Sequence, residues 1–193
     1  MFSGIVEETG LVSKLDKKNN LSVLNVAANK TIRGTKKGDS VAVNGVCLTV
    51  TNVRGKIFTF DIMQETIKAT TLNQIKPKSK VNLERALKMS DRNSGHFVTG
   101  HIDAVGKIKN RIDKENYTEL QIELNKSLMK YIVSKGSVCL DGVSLTVASV
   151  KGAVFSVHLI PLTKNVTTLS LKQKNDSINV ETDILAKYIL NRK

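Results

Sequence analysis

A seven-residue stretch occurs twice in this chain, as Asn44-Gly45-Val46-Cys47-Leu48-Thr49-Val50 and as Asp141-Gly142-Val143-Ser144-Leu145-Thr146-Val147. Gly, Val, Leu, Thr and Val recur in order, while Asn becomes Asp and Cys becomes Ser. The match extends outward at the same separation. Phe58 meets Phe155, Thr66 meets Thr163, Thr70-Thr71-Leu72 meets Thr167-Thr168-Leu169, and Val81-Asn82-Leu83-Glu84 meets Ile178-Asn179-Val180-Glu181. Before the motif the register slips by one, setting Lys37-Gly38 against Lys135-Gly136. Near the start it slips again, so that Gly4-Ile5-Val6 faces Gly100-His101-Ile102 and Gly10 faces Gly106. A chain with this internal copy is one domain duplicated.

The 193 residues thus divide into two units of roughly 90 to 95 residues, near the lower usual size for an independent core. The expected boundaries are 1–93 and 94–183, with a short C-terminal helix over 184–193. No apolar run approaches the ~20 residues of a membrane span. Met1-Phe2-Ser3-Gly4 carries no basic or apolar leader, so no signal peptide is read. Cys47 and Cys139 stand at non-equivalent repeat positions and are too few for a disulfide framework or a zinc site. A reducing cytoplasm is the expected location. A net charge of +13 and a pI near 9.8 raise nucleic acid as a partner. The lysines are spread along the chain, however, and aromatics make up only 4%. The expectation is weak non-specific binding at low salt, with no specific nucleic-acid and no membrane partner.

Local patterns predict mostly short strands. Residues 2–15 read as a strand with a bulge or bend at Gly10. Residues 16–20 read as a turn, and 21–26 as a strand. Asn44-Gly45 and Arg54-Gly55 read as hairpin turns flanked by 40–43, 46–53 and 56–62. Short helices are read at 65–72, 126–133 and 163–169, and Asp183 as the N-cap of a helix from 184 to 192 with Ile184, Leu185, Tyr188 and Ile189 on one face. Strands outnumber helices, and regular βαβ alternation is lacking. The fold class is all-β, and each half is expected to close into a small antiparallel barrel, which removes exposed edges.

On the repeated strand, period two sets Val46, Leu48 and Val50 against Cys47, Thr49 and Thr51, and Val143, Leu145 and Val147 against Ser144 and Thr146. If the apolar set fills the barrel, Cys47/Thr49 and Ser144/Thr146 form matched polar pairs outside it. They are either ordinary solvent-facing residues or the walls of two similar pockets. Cys47 is alternatively a small buried hydrophobe. His101 has no histidine counterpart in the first half, His158 faces Asp61 in the repeat, and His96 lies in the polar linker. Three scattered histidines do not make a metal site. No phosphate loop, dinucleotide fingerprint or hydrolase elbow is present.

Over essentially its whole length the chain resembles the riboflavin synthase alpha-chain family. The resemblance is carried by Met1-Phe2-Ser3-Gly4-Ile5-Val6-Glu7, by 38–50, by Gly95-His96-Phe97-Val98-Thr99-Gly100-His101-Ile102-Asp103, by Met129-Lys130-Tyr131-Ile132, by Lys135-Gly136-Ser137, by 141–147 and by Val157-His158-Leu159-Ile160-Pro161. It implies two tandem six-stranded Greek-key barrels and a dismutation. Two molecules of 6,7-dimethyl-8-ribityllumazine exchange a four-carbon unit, giving riboflavin and 5-amino-6-(ribitylamino)uracil, the last step of riboflavin biosynthesis. No metal or redox cofactor is implied. The implied partners are the substrate, two further copies in a homotrimer, and lumazine synthase. Each site would form where the N-terminal barrel of one subunit meets the C-terminal barrel of its neighbour. The segment after Asp183 is shorter than the trimer-forming helix of many family members. Lumazine proteins, non-catalytic relatives of the same fold, are the rival reading; Cys47, His101 and Ser144 together favour the enzyme.

By motif position the resemblance places N-terminal substrate loops at Gly4, Ile5 and Val6, at Cys47, Leu48 and Thr49, and at Asp61, Ile62, Met63, Gln64, Glu65 and Thr66. In the C-terminal barrel it places them at Gly100, His101 and Ile102, at Lys135, at Ser144, Leu145 and Thr146, and at Leu159, Ile160, Pro161, Leu162, Thr163 and Lys164. Cys47, His101 and Ser144 are expected nearest the reacting rings, with Asp183 and Ser40 as candidates for proton handling. Thr49 and Thr146 are expected to bind polar atoms of the ligand. Phe2 either covers a ring or packs the N-terminus.

Overall fold

The computed structural model describes residues 1–17 and 20–190. The first six strands are β1 (Glu8–Lys17), β2 (Leu21–Ala27), β3 (Ser40–Val43), β4 (Val46–Arg54), β5 (Ile57–Met63) and β6 (Lys80–Arg85). They are followed by β7 (Ala104–Asp113), β8 (Thr118–Glu123), β9 (Ser137–Leu140), β10 (Val143–Lys151), β11 (Val154–Leu159) and β12 (Ser177–Thr182). Each set of six closes on itself, in the order β1-β2-β5-β4-β3-β6 and, equivalently, β7-β8-β11-β10-β9-β12. Every pairing is antiparallel. The fold is therefore two six-stranded barrels with few helices. No described helix is long and apolar enough to cross a membrane.

Alternation decides which face turns inward. Phe58 and Phe60 are fully buried in the first barrel with ring centroids 5.7 Å apart, while Ile57, directly before Phe58 on the same strand, faces outward. Val46, Leu48 and Val50 line the same core, and Thr49 is exposed. Val143, Leu145 and Val147 repeat the pattern around Phe155 in the second. Bulges fall between Val12 and Lys14, Val50 and Asn52, Ile108 and Asn110, and Val147 and Ser149, at matching places in the two barrels. They supply the local twist that closure needs.

Several expectations are corrected. Gly10 is not a bulge: it pairs in register with Val81, and a Cβ there would stand 2.6 Å from Leu83 Cδ1 and 2.7 Å from Val26 Cγ1. Its missing side chain makes room for the barrel core. Asp16 is not in a turn, since β1 continues to Lys17 with Asp16 opposite Val23; residues 18 and 19 of that expected turn lie outside the described residues. Gly38 matches Lys135 rather than Gly136, because both donate their N–H to the equivalent carbonyls of Val50 and Val147 at 2.8 Å. Lys135 therefore takes a left-handed φ of 65° where the first barrel has a glycine. The helix read at 65–72 is α1 (Gln64–Ala69) followed by a 3₁₀ turn, Thr71–Asn73. Thr70 divides them, its hydroxyl donating to Thr66 O at 2.6 Å and accepting from Leu72 N. Thr167 does the same after α2 (Pro161–Val166). The helix read at 126–133 is a 3₁₀ turn over Lys126–Tyr131. Asp183 caps α3 (Ile184–Leu190) through Oδ1 to Leu185 N at 2.9 Å; residues 191–193 lie outside the described residues.

The barrels meet about a pseudo-twofold axis. Asn82 Nδ2 donates to Asp141 O at 2.8 Å, and Asn82 Oδ1 accepts from Thr168 N at 2.7 Å. Asn179 mirrors this with Asn44 O at 2.8 Å and Thr71 N at 2.7 Å. Gly45 and Gly142 touch between these pairs at φ of 80° and 82°. A Cβ on Gly45 would lie 2.6 Å from Gly142 N, and one on Gly142 2.8 Å from Gly45 N. Phe2 and Val98 exchange backbone bonds of 2.7 and 3.1 Å and sit with Ala42 and Cys139 in a small apolar cluster between the barrels. Phe2 is fully buried there, so it packs the N-terminus.

Each barrel also receives one apolar side chain from the segment ahead of the other barrel's first strand. Val6 belongs to the second core, and Ile102 packs against the first. Directly afterwards Glu7 N bonds Leu83 O and Asp103 N bonds Val180 O, each at 2.9 Å, returning the chain to its own barrel. The Gly45→Ala change, which needs both a strained φ and space that the facing backbone occupies, is expected to destabilise the fold by about 2 kcal/mol or more. Urea unfolding measures this, and an unchanged midpoint would contradict the close contact.

Candidate ligand sites on the two barrels

The exchanged segments place one polar pair beside each strand of the repeat. Cys47 N donates to Gly100 O at 2.9 Å, and Ser144 N donates to Gly4 O at 2.7 Å. A Cβ on Gly100 would meet Cys47 Cβ at 2.5 Å, and one on Gly4 would meet Ser144 Cβ at 2.6 Å. Both glycines hold left-handed φ, 80° and 76°. Only glycine permits that conformation and that approach.

The grouping expected from motif order is thereby crossed over. Gly100, His101 and Ile102 lie against the first barrel, beside Cys47, while Gly4, Ile5 and Val6 lie against the second, beside Ser144. On the first barrel, Cys47 is half-buried and Thr49 exposed. The register that sets Val50 opposite Phe60 brings the end of β5 back toward them. There Asp61 and Met63 face outward, Ile62 and Leu48 face the core, and Gln64, Glu65 and Thr66 begin α1. Gln64 Nε2 reaches Ser22 Oγ at 3.2 Å. On the second barrel Ser144 is half-buried, Thr146 exposed, and Leu145 and Leu159 inside. Ile160, Pro161 and Leu162 are exposed at the start of α2, with Thr163 and Lys164 half-buried.

The remaining candidates fall in distinct places. Ser40 lines a cavity of about 640 Å³ with Ser3, Ile5, Glu7, Arg33 and Arg85. Glu7 there accepts a bidentate pair from Arg85, with Nη2 to Oε2 at 2.6 Å. Burial opposes its charge, but the Arg85 hydrogen bonds outweigh it and hold the carboxyl below its usual value. His101 lines a cavity of about 530 Å³ with Met1, Phe97, Thr99, Ile184 and Tyr188. Lys135 is exposed in the turn before β9. His158 lies apart, 3.9 Å from Glu119 and against the Tyr117 ring.

Sequence reasoning missed His96. Its Nδ1 is 2.7 Å from Ser144 Oγ, and its Nε2 is buried with no partner among the described residues. Burial lowers its pKa below the ordinary 6.5, and the negative charge of Asp183 acts in the opposite direction. The repeat had no means of flagging it, because the equivalent first-half position precedes Met1. An imidazole held neutral against a serine hydroxyl, with a carboxylate nearby, is a proton-transfer arrangement. The first barrel pairs Cys47 with the His101 segment instead, so the sites share a frame and differ in chemistry.

Known proteins define the class to which this frame belongs. The lumazine binding domain family matches twice, at residues 3–86 and 99–183. A riboflavin synthase of Actinobacillus pleuropneumoniae is 43% identical over 189 residues, covering 98% of this chain and 88% of that protein. That of Bacillus subtilis is 41% identical with the same coverage, and that of Escherichia coli 40% identical over 95% of this chain and 87% of its own. Crystal structures of LumP complexed with riboflavin and with 6,7-dimethyl-8-(1'-D-ribityl) lumazine superpose with TM-scores of 0.88 and 0.86, at 28% identity, covering 94% of this chain and 99% of theirs. The two matched segments make this a tandem lumazine-binding-domain protein. With full-length relatives at this identity, the chain belongs to the riboflavin synthase family.

The His96 environment fixes a pH dependence. Its folded-state pKa is below the unfolded 6.5, so the unfolded chain binds more protons between the two values. The contribution to stability is complete above about pH 6.5 and is lost as the pH falls through the folded value. Unfolding midpoints measured from pH 8 to pH 5 are expected to decline over that window, and His96→Gln to flatten that part of the slope. An unchanged slope would refute the buried neutral imidazole.

Proposed function

We propose that the chain is a riboflavin synthase, transferring a four-carbon unit between two molecules of 6,7-dimethyl-8-ribityllumazine to give riboflavin and 5-amino-6-(ribitylamino)uracil. The observation that carries this reading is the pair of pseudo-equivalent sites, Cys47 beside Gly100-His101 and Ser144 beside Gly4-Ile5. A reaction between two copies of one molecule needs two similar cradles and unlike acid–base groups within them. Donor and acceptor have the same composition, so the exchange balances within the pair and needs no outside oxidant or reductant. The enzyme is in this reading a transferase without a redox cofactor.

His96 takes the proton of Ser144 or of a group bound there, and Asp183 supports the cation that forms. Cys47 and His101 act at the other ring, Thr49 and Thr146 hold ligand polar atoms, and the ends of β5 and β11 with α1 and α2 border the rings. Ser40 and Ile5 share one cavity wall. Holding the rings face to face makes a bimolecular step intramolecular. Leu185, Tyr188 and Ile189 expose 53%, 72% and 70% of their surface on α3, which suits a contact between copies. The same reading takes 1–93, 94–183 and 184–193 as the two barrels and the C-terminal helix of each chain, and three such chains as a homotrimer that works in the cytoplasm and associates with lumazine synthase.

The test is to mix protein and 6,7-dimethyl-8-ribityllumazine, without metal or nicotinamide, and follow riboflavin absorbance. Riboflavin at half the molar amount of substrate consumed supports the dismutation. Tight fluorescent binding without riboflavin overturns it in favour of a carrier. Cys47→Ser and Ser144→Ala are each expected to lower kcat by about 10- to 1,000-fold with a smaller change in ligand binding. Wild-type turnover in both would remove these residues from the chemistry.

A further inference from the structure

Glu84 and Glu181 are equivalent residues near the ends of β6 and β12, exposed by only 4% and 1%. Among the described residues neither meets a Lys, Arg or His within ion-pair distance. Both are instead filled by the exchanged segments. Glu84 accepts from Ser3 N at 2.7 Å, Ser3 Oγ at 2.8 Å and Gly4 N at 3.1 Å. Glu181 accepts from Thr99 N at 2.6 Å, Thr99 Oγ1 at 2.6 Å and Gly100 N at 2.9 Å. The hydroxyls pass the hold onward. Ser3 Oγ accepts from Ile5 N and Thr99 Oγ1 from His101 N, each at 3.3 Å. A carboxylate buried without a cation is costly unless several N–H and O–H donors compensate it. A shortage of apolar side chains does not explain why the fold accepts that cost twice. The contact between the barrels already holds Phe2, Val98 and Cys139.

We propose that Glu84 and Glu181 are positioning residues: each buried carboxylate sets the reach of the segment that completes the ligand site on the opposite barrel. Glu181, in the second barrel, orients Gly100-His101 over Cys47 of the first. Glu84, in the first, orients Gly4-Ile5 over Ser144 of the second. Glutamine in either place keeps the size but turns an amide N–H₂ toward a donor, so one end of the segment is released. This inference rests on the assignment of two sites given above.

Cys47 supplies a readout independent of turnover. It is half-buried, whereas Cys139 is 1% exposed, so a soluble aromatic disulfide reports on Cys47, and Cys47→Ser is the blank. Glu181→Gln is expected to speed Cys47 labelling on the order of tenfold and to lower kcat by about 10- to 100-fold. Glu84→Gln is expected to lower kcat similarly while leaving the labelling rate within about twofold of wild type. Thr99→Ala removes the hydroxyl but keeps the backbone donors; it is expected to act in the same direction as Glu181→Gln, more weakly. It carries the test if Glu181→Gln does not fold. Equal acceleration of labelling by both glutamine variants, in step with a fall in Tm, would overturn the proposal and leave two interface residues. Wild-type kcat and labelling in Glu181→Gln or, where that does not fold, in Thr99→Ala would overturn it as well. If the wild-type chain makes no riboflavin, the functional reading fails, and the labelling rates alone decide the clamp.

Discussion

Two asparagine side chains hold the molecule in register. Asn82 and Asn179 each span from one barrel to the other, using both ends of the amide: the oxygen receives a threonine N–H and the nitrogen feeds a turn carbonyl. Those carbonyls belong to Asn44 and Asp141, which open the turns into β4 and β10. The turns bring Gly45 and Gly142 into backbone contact, and two residues further along each strand stand Cys47 and Ser144 of the candidate sites. All four bonds are buried, where an unmade one carries the full desolvation penalty of its groups. Displacement of either turn would therefore move a site and break the junction together.

Within that symmetric frame the copies have diverged in charge. Asn44 Oδ1 and Asp141 Oδ1 both accept the N–H of the following asparagine position, at 2.8 Å. The second oxygen of Asp141 pairs with Lys172 Nζ at 2.8 Å, where the first barrel has the uncharged Ile75. The Asn-to-Asp difference in the repeated motif thus has a local partner and leaves the hydrogen bond to the backbone intact. The sites have diverged as well. Cys47 stands for Ser144, His101 for Ile5, and His96 has no counterpart. Nearly identical cradles with different polar side chains would suit the proposed reaction, in which two like molecules must behave unlike one another.

Much of this was legible in order of amino acids. Alternation over 46–50 and 143–147 assigned each side chain to the inside or outside of a barrel, because a strand buried on one face writes its burial at period two. The repeat supplied the count of two barrels and paired Thr70 with Thr167, but the break that each makes between a helix and a 3₁₀ turn was not read. The crossing of the first segments was not legible. Gly4 and Gly100 look alike in sequence, and nothing local says that each closes on the opposite barrel. His96 was missed for lack of a repeat partner. Glu84 and Glu181 were visible as an equivalent pair, yet their role depends on donors about eighty residues away. The slipped match at Gly38 came from preferring glycine to glycine, where the backbone instead accepts Lys135 at positive φ.

The traded side chains Val6 and Ile102 bear on how the chain is made. A ribosome releases Val6 ahead of every strand of both barrels, but the core that receives it needs strands as late as β12. The first barrel has all six of its strands by Arg85, yet its open end waits for Ile102. During synthesis the leading half is a barrel with one end unfilled and one apolar residue unspent. It reaches its final packing only when the trailing half emerges, so maturation is settled late, by both halves at once.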